Sequence, residues 1–272
     1  MSLFISSLNS GSNGNCYYIG NEHEAVLVDA GITCKEIELR MQRLGLSLST
    51  VKAVFVSHEH TDHIKGIPVL AKKYRLPVYI TEPTRIHGRV KLEKNQAIHF
   101  VPDMPIHVGG LNITAFSKHH DAADPYSFFI RHNGIQVGVF TDIGTPCDRL
   151  VAHFKNCHAA FLEANYDEDM LNNGGYPYVL KQRIRGGKGH LSNSQALELF
   201  LRHRPPFMTH LLLSHLSKNN NSPQLVEELF RKHAGTVQMI IASRDKETAL
   251  YRIDIRATTQ PMVFEQMEFS FD

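Results

Sequence analysis

The chain of 272 residues is long for one domain and short for two full ones, so a single large core with two packed halves is expected. A formal net charge of +2 excludes a strongly basic nucleic-acid or membrane binder on composition alone, although a local basic patch stays open. Cys16, Cys34, Cys147 and Cys157 form no C-x-x-C pair, which excludes a disulfide framework and points to a reducing cytoplasm.

The opening stretch MSLFISSLNSGSNGN carries no basic segment and no long apolar run. Nothing downstream approaches the ~20 apolar residues of a membrane span, so neither secretion nor membrane insertion is expected. Strands are predicted near 3–7, 15–20 and 25–29, followed by a helix near 34–44. The turn SGSNGNC (10–16) lacks the G-K-[ST] ending of a phosphate-cradling loop and reads as a steric lining of a site.

The apolar run VKAVFV, a strand near 52–57, leads directly into SHEHTDHIKG, which sets three histidines and two carboxylic acids within six positions. Alternation aims His58 and His60 to one side, and Asp62 and His63 follow as the chain enters a helix near 63–74. Imidazole nitrogen and carboxylate oxygen suit borderline divalent cations. The total of 17 His, roughly threefold ordinary usage, points the same way. Such groups are too many for one tetrahedral ion, so two metals are expected.

Further ligand candidates fall at predicted strand ends. Strands near 77–80, 97–101 and 111–117 precede FSKHHDAADP, which offers His119 or His120; strands near 126–131 and 135–141 precede Asp142 in TDIG. A helix near 146–154 and a strand near 158–162 lead to Glu163 in FLEANYD. Residues 172–190 lack clear periodicity and, with Gly pairs and five basic residues, read as a functional loop. Helices near 192–203 and 222–233 carry the clearest start signals, Ser192 and Ser222-Pro223. Between them a strand near 209–213 presents His215, and strands near 237–242 and 248–254 complete the chain.

The pattern starts with hairpins, brings in helices and then repeats, which suggests two sheets face to face with helices outside, an α+β arrangement. H-x-H-x-D-H after a strand, a later His, an Asp in TD-x-G and a late His resemble the metallo-β-lactamase superfamily over nearly the whole chain. SLNSGSNGNCYYI, HDAADP, GHLSN and LSHLSKNNNSP further resemble its YycJ/WalJ (VicX) group. The resemblance implies an αββα sandwich in one domain, 1–272. It assigns His58, His60 and His120 to one metal, Asp62, His63 and His215 to the other, and Asp142 to both, with zinc, manganese or iron as the ions. His120 is preferred to His119 for its place in HDAADP. The 47 residues between Asp142 and His190 leave no room for a β-CASP insertion, and His60 stands where flavodiiron relatives place Glu.

The activity implied is metal-dependent phosphodiester hydrolysis, with DNA as the expected partner and 5′-to-3′ exonuclease action as the proposed form. Two ions would lower the pKa of a shared water to give hydroxide, which Asp62 would orient. By resemblance His190 is the general acid and Glu163 its orienting partner. Arg183, Arg185, Lys188, Lys218 and Asn220 are candidate backbone contacts. The alternatives are hydrolysis of a small cyclic phosphodiester, thioester or lactone, and a non-catalytic regulatory protein stabilised by metal. Oligomeric state is left open.

Overall fold

Most strands bury residues of both parities, as sheets covered on two faces require. The computed structural model describes residues 2–255, so position 1 and positions 256–272 of the expected 1–272 unit lie outside the described residues. Strands β1 (Leu3–Asn9), β2 (Cys16–Gly20), β3 (Ala25–Val28), β4 (Val51–Phe55), β5 (Val78–Tyr79) and β6 (Ala97–Ile98) belong to one sheet. Strands β7 (Pro105–Val108), β8 (Leu111–Ser117), β9 (Tyr126–His132), β10 (Ile135–Phe140), β11 (Ala159–Glu163), β12 (His210–Ser214) and β13 (Gln238–Ile241) form the other. The last described strand, β14 (Tyr251–Ile253), returns to pair antiparallel with β1.

Both sheets follow one plan. In the first, β14, β1, β2 and β3 are antiparallel neighbours and β3 to β6 are parallel. In the second, β7 to β10 are antiparallel and β10 to β13 parallel. Parallel neighbours need crossovers, and helices supply them. Helices α1 (Cys34–Arg43), α2 (Thr61–Ile64), α3 (Ile67–Tyr74) and α4 (Glu82–His87) follow strands of the first sheet. Helices α5 (Asp148–Phe154), α6 (Glu168–Asn173), α7 (Tyr178–Arg185), α8 (Asn193–His203) and α9 (Pro223–Arg231) follow those of the second. Ser192 and Gln195 close a reciprocal capping box on α8, and the Ser222 hydroxyl accepts from Leu225 N at the start of α9.

Inner-facing residues of the two sheets interleave in one cluster, where Phe55 meets Phe128 edge-on at 5.6 Å and Tyr17 lies 4.9 Å from Phe161. Ile37, Met41, Ile67 and Leu70 cover the outer face of the first sheet; Phe154, Phe200, Val226 and Phe230 cover the second. The layers are therefore helix, sheet, sheet, helix.

Three expectations differ from the structure. The helix expected over 63–74 is divided into α2 and α3, because Gly66 N donates to Ala30 O and a side chain there would lie 2.1 Å from Ile32 O. The stretch 172–190 holds the end of α6 and all of α7; α7 is eight residues long, buries none of them and puts only Leu180 and Ile184 on one face, too short a stripe to show as periodicity. Strand β7 and helix α4 went unforeseen, being four and six residues long.

Strands β3, β4, β8, β10, β11 and β12 end along one edge of the sandwich, the crevice where open α/β sheets place ligands. Gly31 admits the segment after β4 to that edge: a Cβ there would sit 1.6 Å from Asp62 O and 2.6 Å from Asn15 N. Gly31→Ala is expected to lower unfolding free energy by more than ~2 kcal/mol through overpacking. A urea denaturation midpoint equal to that of the parent chain would contradict that close approach.

Candidate metal centre

The first group of donors comes from β4 and β8. His58 and His120 are buried and His60 is half-buried, and their ring nitrogens face one another: His60 Nδ1 lies 3.0 Å from His58 Nε2 and 3.4 Å from His120 Nε2. His120 Nδ1 donates to Gly189 O at 3.1 Å, which fixes its tautomer and turns the Nε2 lone pair inward. Three imidazoles crowding their acceptor nitrogens together repel unless a proton or a cation sits among them.

The second group lies beside it. Asp62 Oδ2 is 3.5 Å from both His63 Nε2 and His215 Nε2. Asp142 stands between the groups, with Oδ2 3.3 Å from His63 Nε2 and Oδ1 3.3 Å from His215 Nδ1 and 3.8 Å from His120 Nε2. His215 Nε2 and Asp142 Oδ2 are buried and make no hydrogen bond among the described residues. A buried polar atom left without a partner is costly, so two orphaned donor atoms aimed at one space fit a cation. Ligand atoms of His58, His60 and His120 lie within 4.8 Å of one another, as do those of Asp62, His63 and His215.

Outer carboxylates hold these ligands. Asp29, at the end of β3, accepts from His63 Nδ1 at 2.7 Å and from the Ser57 hydroxyl and amide at 2.8 Å each. Glu163, at the end of β11, accepts through Oε1 from His190 Nδ1 at 2.8 Å and His215 Nδ1 at 2.9 Å; Oε2 accepts from Ile143 N at 2.7 Å and Leu191 N at 3.1 Å. Asn15 donates to Asp62 Oδ2 at 3.2 Å. Asp29, Asp142 and His215 have φ of 61°, 56° and 58°, in the left-handed region that side-chain-bearing residues enter rarely.

Burial holds the His58 and His120 imidazoles neutral, His120 down to about 3. Burial also disfavours charge on His63 and His215, but carboxylates outweigh it: Asp142 and Asp29 raise His63, and Asp142, Asp62 and Glu163 push His215 up to about 10. Against the same burial penalty, His215 and His63 hold Asp142 ionised, and His190 and His215 bring Glu163 to about 2. Lys118, also buried and lowered by burial, donates to Thr141 O at 2.7 Å.

All seven residues proposed as ligands, with Glu163 and His190, are brought to this edge. His119 is exposed, and its carbonyl accepts from Gly144 N. The basic candidates divide. Arg183 lines the cavity above the donors and its Nε bonds Asp121 Oδ2, whereas Arg185 and Lys188 are exposed away from that lining. Lys218 lines a neighbouring hollow with Ser10 and Arg244. Asn220 is buried, and its carbonyl accepts from Asp167 N, so it braces a loop. Asp29, Ser57 and Asn15 went unassigned from sequence; a carboxylate closing the buried run VLVD was the available signal.

Residues 24–216 match the family described as the beta-lactamase superfamily domain. The chain belongs to this superfamily. Over 230 residues, 83% of this chain and 86% of the relative, it is 36% identical to the exodeoxyribonuclease YycJ of Bacillus anthracis. It is 33% identical over 227 residues to the exodeoxyribonuclease WalJ of Streptococcus pneumoniae, 81% of this chain and 84% of that one. The metallo-beta-lactamase fold protein YhfI from Bacillus subtilis superposes with a TM-score of 0.71 at 18% identity, covering 93% of this chain and 100% of that one, which shows the metallo-β-lactamase fold. Among the described residues no helix is long and apolar enough to cross a membrane.

Because Asp142, Asp62 and Glu163 raise the His215 pKa and so favour its protonated form in the metal-free protein, a cation must displace a proton there. The proton competes with the cation, so apparent zinc affinity is expected to rise between pH 6 and 8. Calorimetry in buffers of differing ionisation enthalpy should register proton release, and heats independent of buffer would refute it.

Proposed function

We propose that the chain is a binuclear metal-dependent phosphodiesterase that hydrolyses DNA as an exonuclease in the cytoplasm. His58, His60 and His120 would hold one metal and Asp62, His63 and His215 the other, with Asp142 shared between them; zinc, manganese and iron all suit these donors. The reading takes residues 1–272 as one unit of this fold without a β-CASP insertion, since residues 143–189 are occupied by α5, β11, α6 and α7. Four free cysteines accord with a reducing compartment.

The observation that carries the reading is the Glu163–His190 pair beside the donors. Divalent ions would supply a nucleophilic water at neutral pH and charge against the phosphoryl oxygens. As an imidazolium, His190 keeps its Nδ1–H on Glu163 and carries a second proton on Nε2, which it would give to the departing alkoxide. Asp62, half-buried at the cavity floor and steadied by Asn15, is placed to orient the attacking water. Arg183 at the rim is the candidate phosphate contact, with Lys218 further out. Relatives named exodeoxyribonucleases over most of their length favour DNA. A general acid beside the ligands also argues against a purely regulatory protein, which has no use for one.

The size of the cavity favours a second reading. At about 260 Å³ it is below the roughly 300–1,000 Å³ usual for ligand pockets, which suits a small phosphodiester such as a cyclic nucleotide. Metal-loaded protein tested on labelled single- and double-stranded DNA, RNA, cyclic nucleotides and bis(p-nitrophenyl) phosphate separates the two; turnover of cyclic nucleotides alone would overturn the nuclease reading.

Asp142→Ala is expected to lose metal occupancy by elemental analysis, and retention of both ions would contradict the bridge. His190→Ala is expected to keep both ions and lose 10²- to 10⁴-fold in kcat on DNA. Its loss on bis(p-nitrophenyl) phosphate should be smaller, because that leaving group needs little protonation. Equal losses on both substrates would remove the acid role.

A further inference from the structure

The segment after α6 forms one wall of the metal cavity, and it differs in kind from the rest of the lining. Tyr176, Leu180 and Ile184 bring an aromatic ring and two branched apolar side chains to the cavity that His60, Asp62 and His190 also line. Leu180 and Ile184 are four residues apart and so share one face of α7. None of the three serves a core: α7 buries no residue, and all three are only half-buried. The helix is held by polar ties, from Lys181 Nζ to Asn172 O at 2.7 Å and from Arg183 Nε to Asp121 Oδ2. Tyr176 is oriented by Asn219, which donates to its hydroxyl at 3.0 Å. At its far end, His190 N donates to Ile184 O at 2.8 Å, so this wall continues directly into the residue assigned as general acid.

We infer that Tyr176, with Leu180 and Ile184, receives the nucleobase of the terminal nucleotide and thereby sets the register of cleavage. The inference rests on the nuclease reading and deepens it. A nucleobase presents an apolar π face that stacks on aromatic and aliphatic surface irrespective of sequence, while its phosphate is drawn to cations. Here apolar side chains and the candidate metal-binding residues line one cavity of about 260 Å³, small for a ligand site and of a size for a single nucleotide unit. A strand end can enter such a cavity; a continuous duplex cannot thread it. Tyr176 is thus a specificity-determining residue that makes the enzyme release one nucleotide at a time.

The test uses the manganese-loaded full chain and single-stranded DNA whose last residue carries a base or is abasic, with the abasic residue at the 5′ end in one oligonucleotide and at the 3′ end in another. For one of the two ends the parent enzyme is expected to show a KM about tenfold higher on the abasic substrate, with kcat changed less. Tyr176→Ala should abolish that ratio and Tyr176→Phe, which keeps the ring, should preserve it. Equal KM for base-bearing and abasic ends at both termini, or a ratio that survives Tyr176→Ala, would overturn the assignment. Absence of cleavage on every DNA would instead bring down the nuclease reading and this inference with it.

Discussion

A carboxylate withdrawn from water must find positive charge or several donors, and that requirement organises this molecule's functional edge. Asp29, Asp142 and Glu163 are buried, and Asp62 is half-buried. The oxygens of Asp29 and Glu163 are taken up by imidazoles and by the backbone amides of Ser57, Ile143 and Leu191. The imidazoles are thereby turned so that their remaining nitrogens converge. Neutral rings on one side, His58 and His120, and carboxylate-paired rings on the other, His63 and His215, follow from the same burial acting with and without nearby negative charge.

The two sheets supply different parts of the cluster and are joined by a short turn. Residues 10–16 look from sequence like a steric lining, yet Ser10 accepts from His215 N at 2.7 Å and Asn15 donates to Asp62 Oδ2. Tyr17 completes the link, its hydroxyl donating to Asn15 Oδ1 at 3.1 Å and lying 2.9 Å from the Ser10 hydroxyl. Ligands from opposite halves are thus registered through one hydrogen-bonded segment.

What could be read in advance divides along physical lines. His58, His60, Asp62 and His63 sit within one short stretch, and a ligand cluster on consecutive residues needs no knowledge of the fold. His120, Asp142 and His215 each close an apolar run, so the strand ends announce them. Periodicity carried the hairpins, the later helices and their repetition, because strands buried on both faces and helices with a packed stripe impose it. Asp29 and Asn15 escaped notice since their roles depend on contacts 28 and 47 residues away with Ser57 and Asp62. Helix α7 escaped for the opposite reason: with only Leu180 and Ile184 on its apolar face, its stripe is a single turn long. The basic residues separated only in three dimensions, where Arg183 meets the cavity and Asn220 turns inward to brace a loop.

That unpacked helix has a bearing on ancestry. The interleaved core and the histidine–carboxylate cluster are carried by the same strands. Of the eight residues Tyr178–Arg185, Leu180, Arg183 and Ile184 line the cavity, and none is buried in the core. A lineage could lengthen, shorten or recolour this flap and acquire new molecular tastes without refolding the sandwich beneath it, leaving old chemistry free to find new targets.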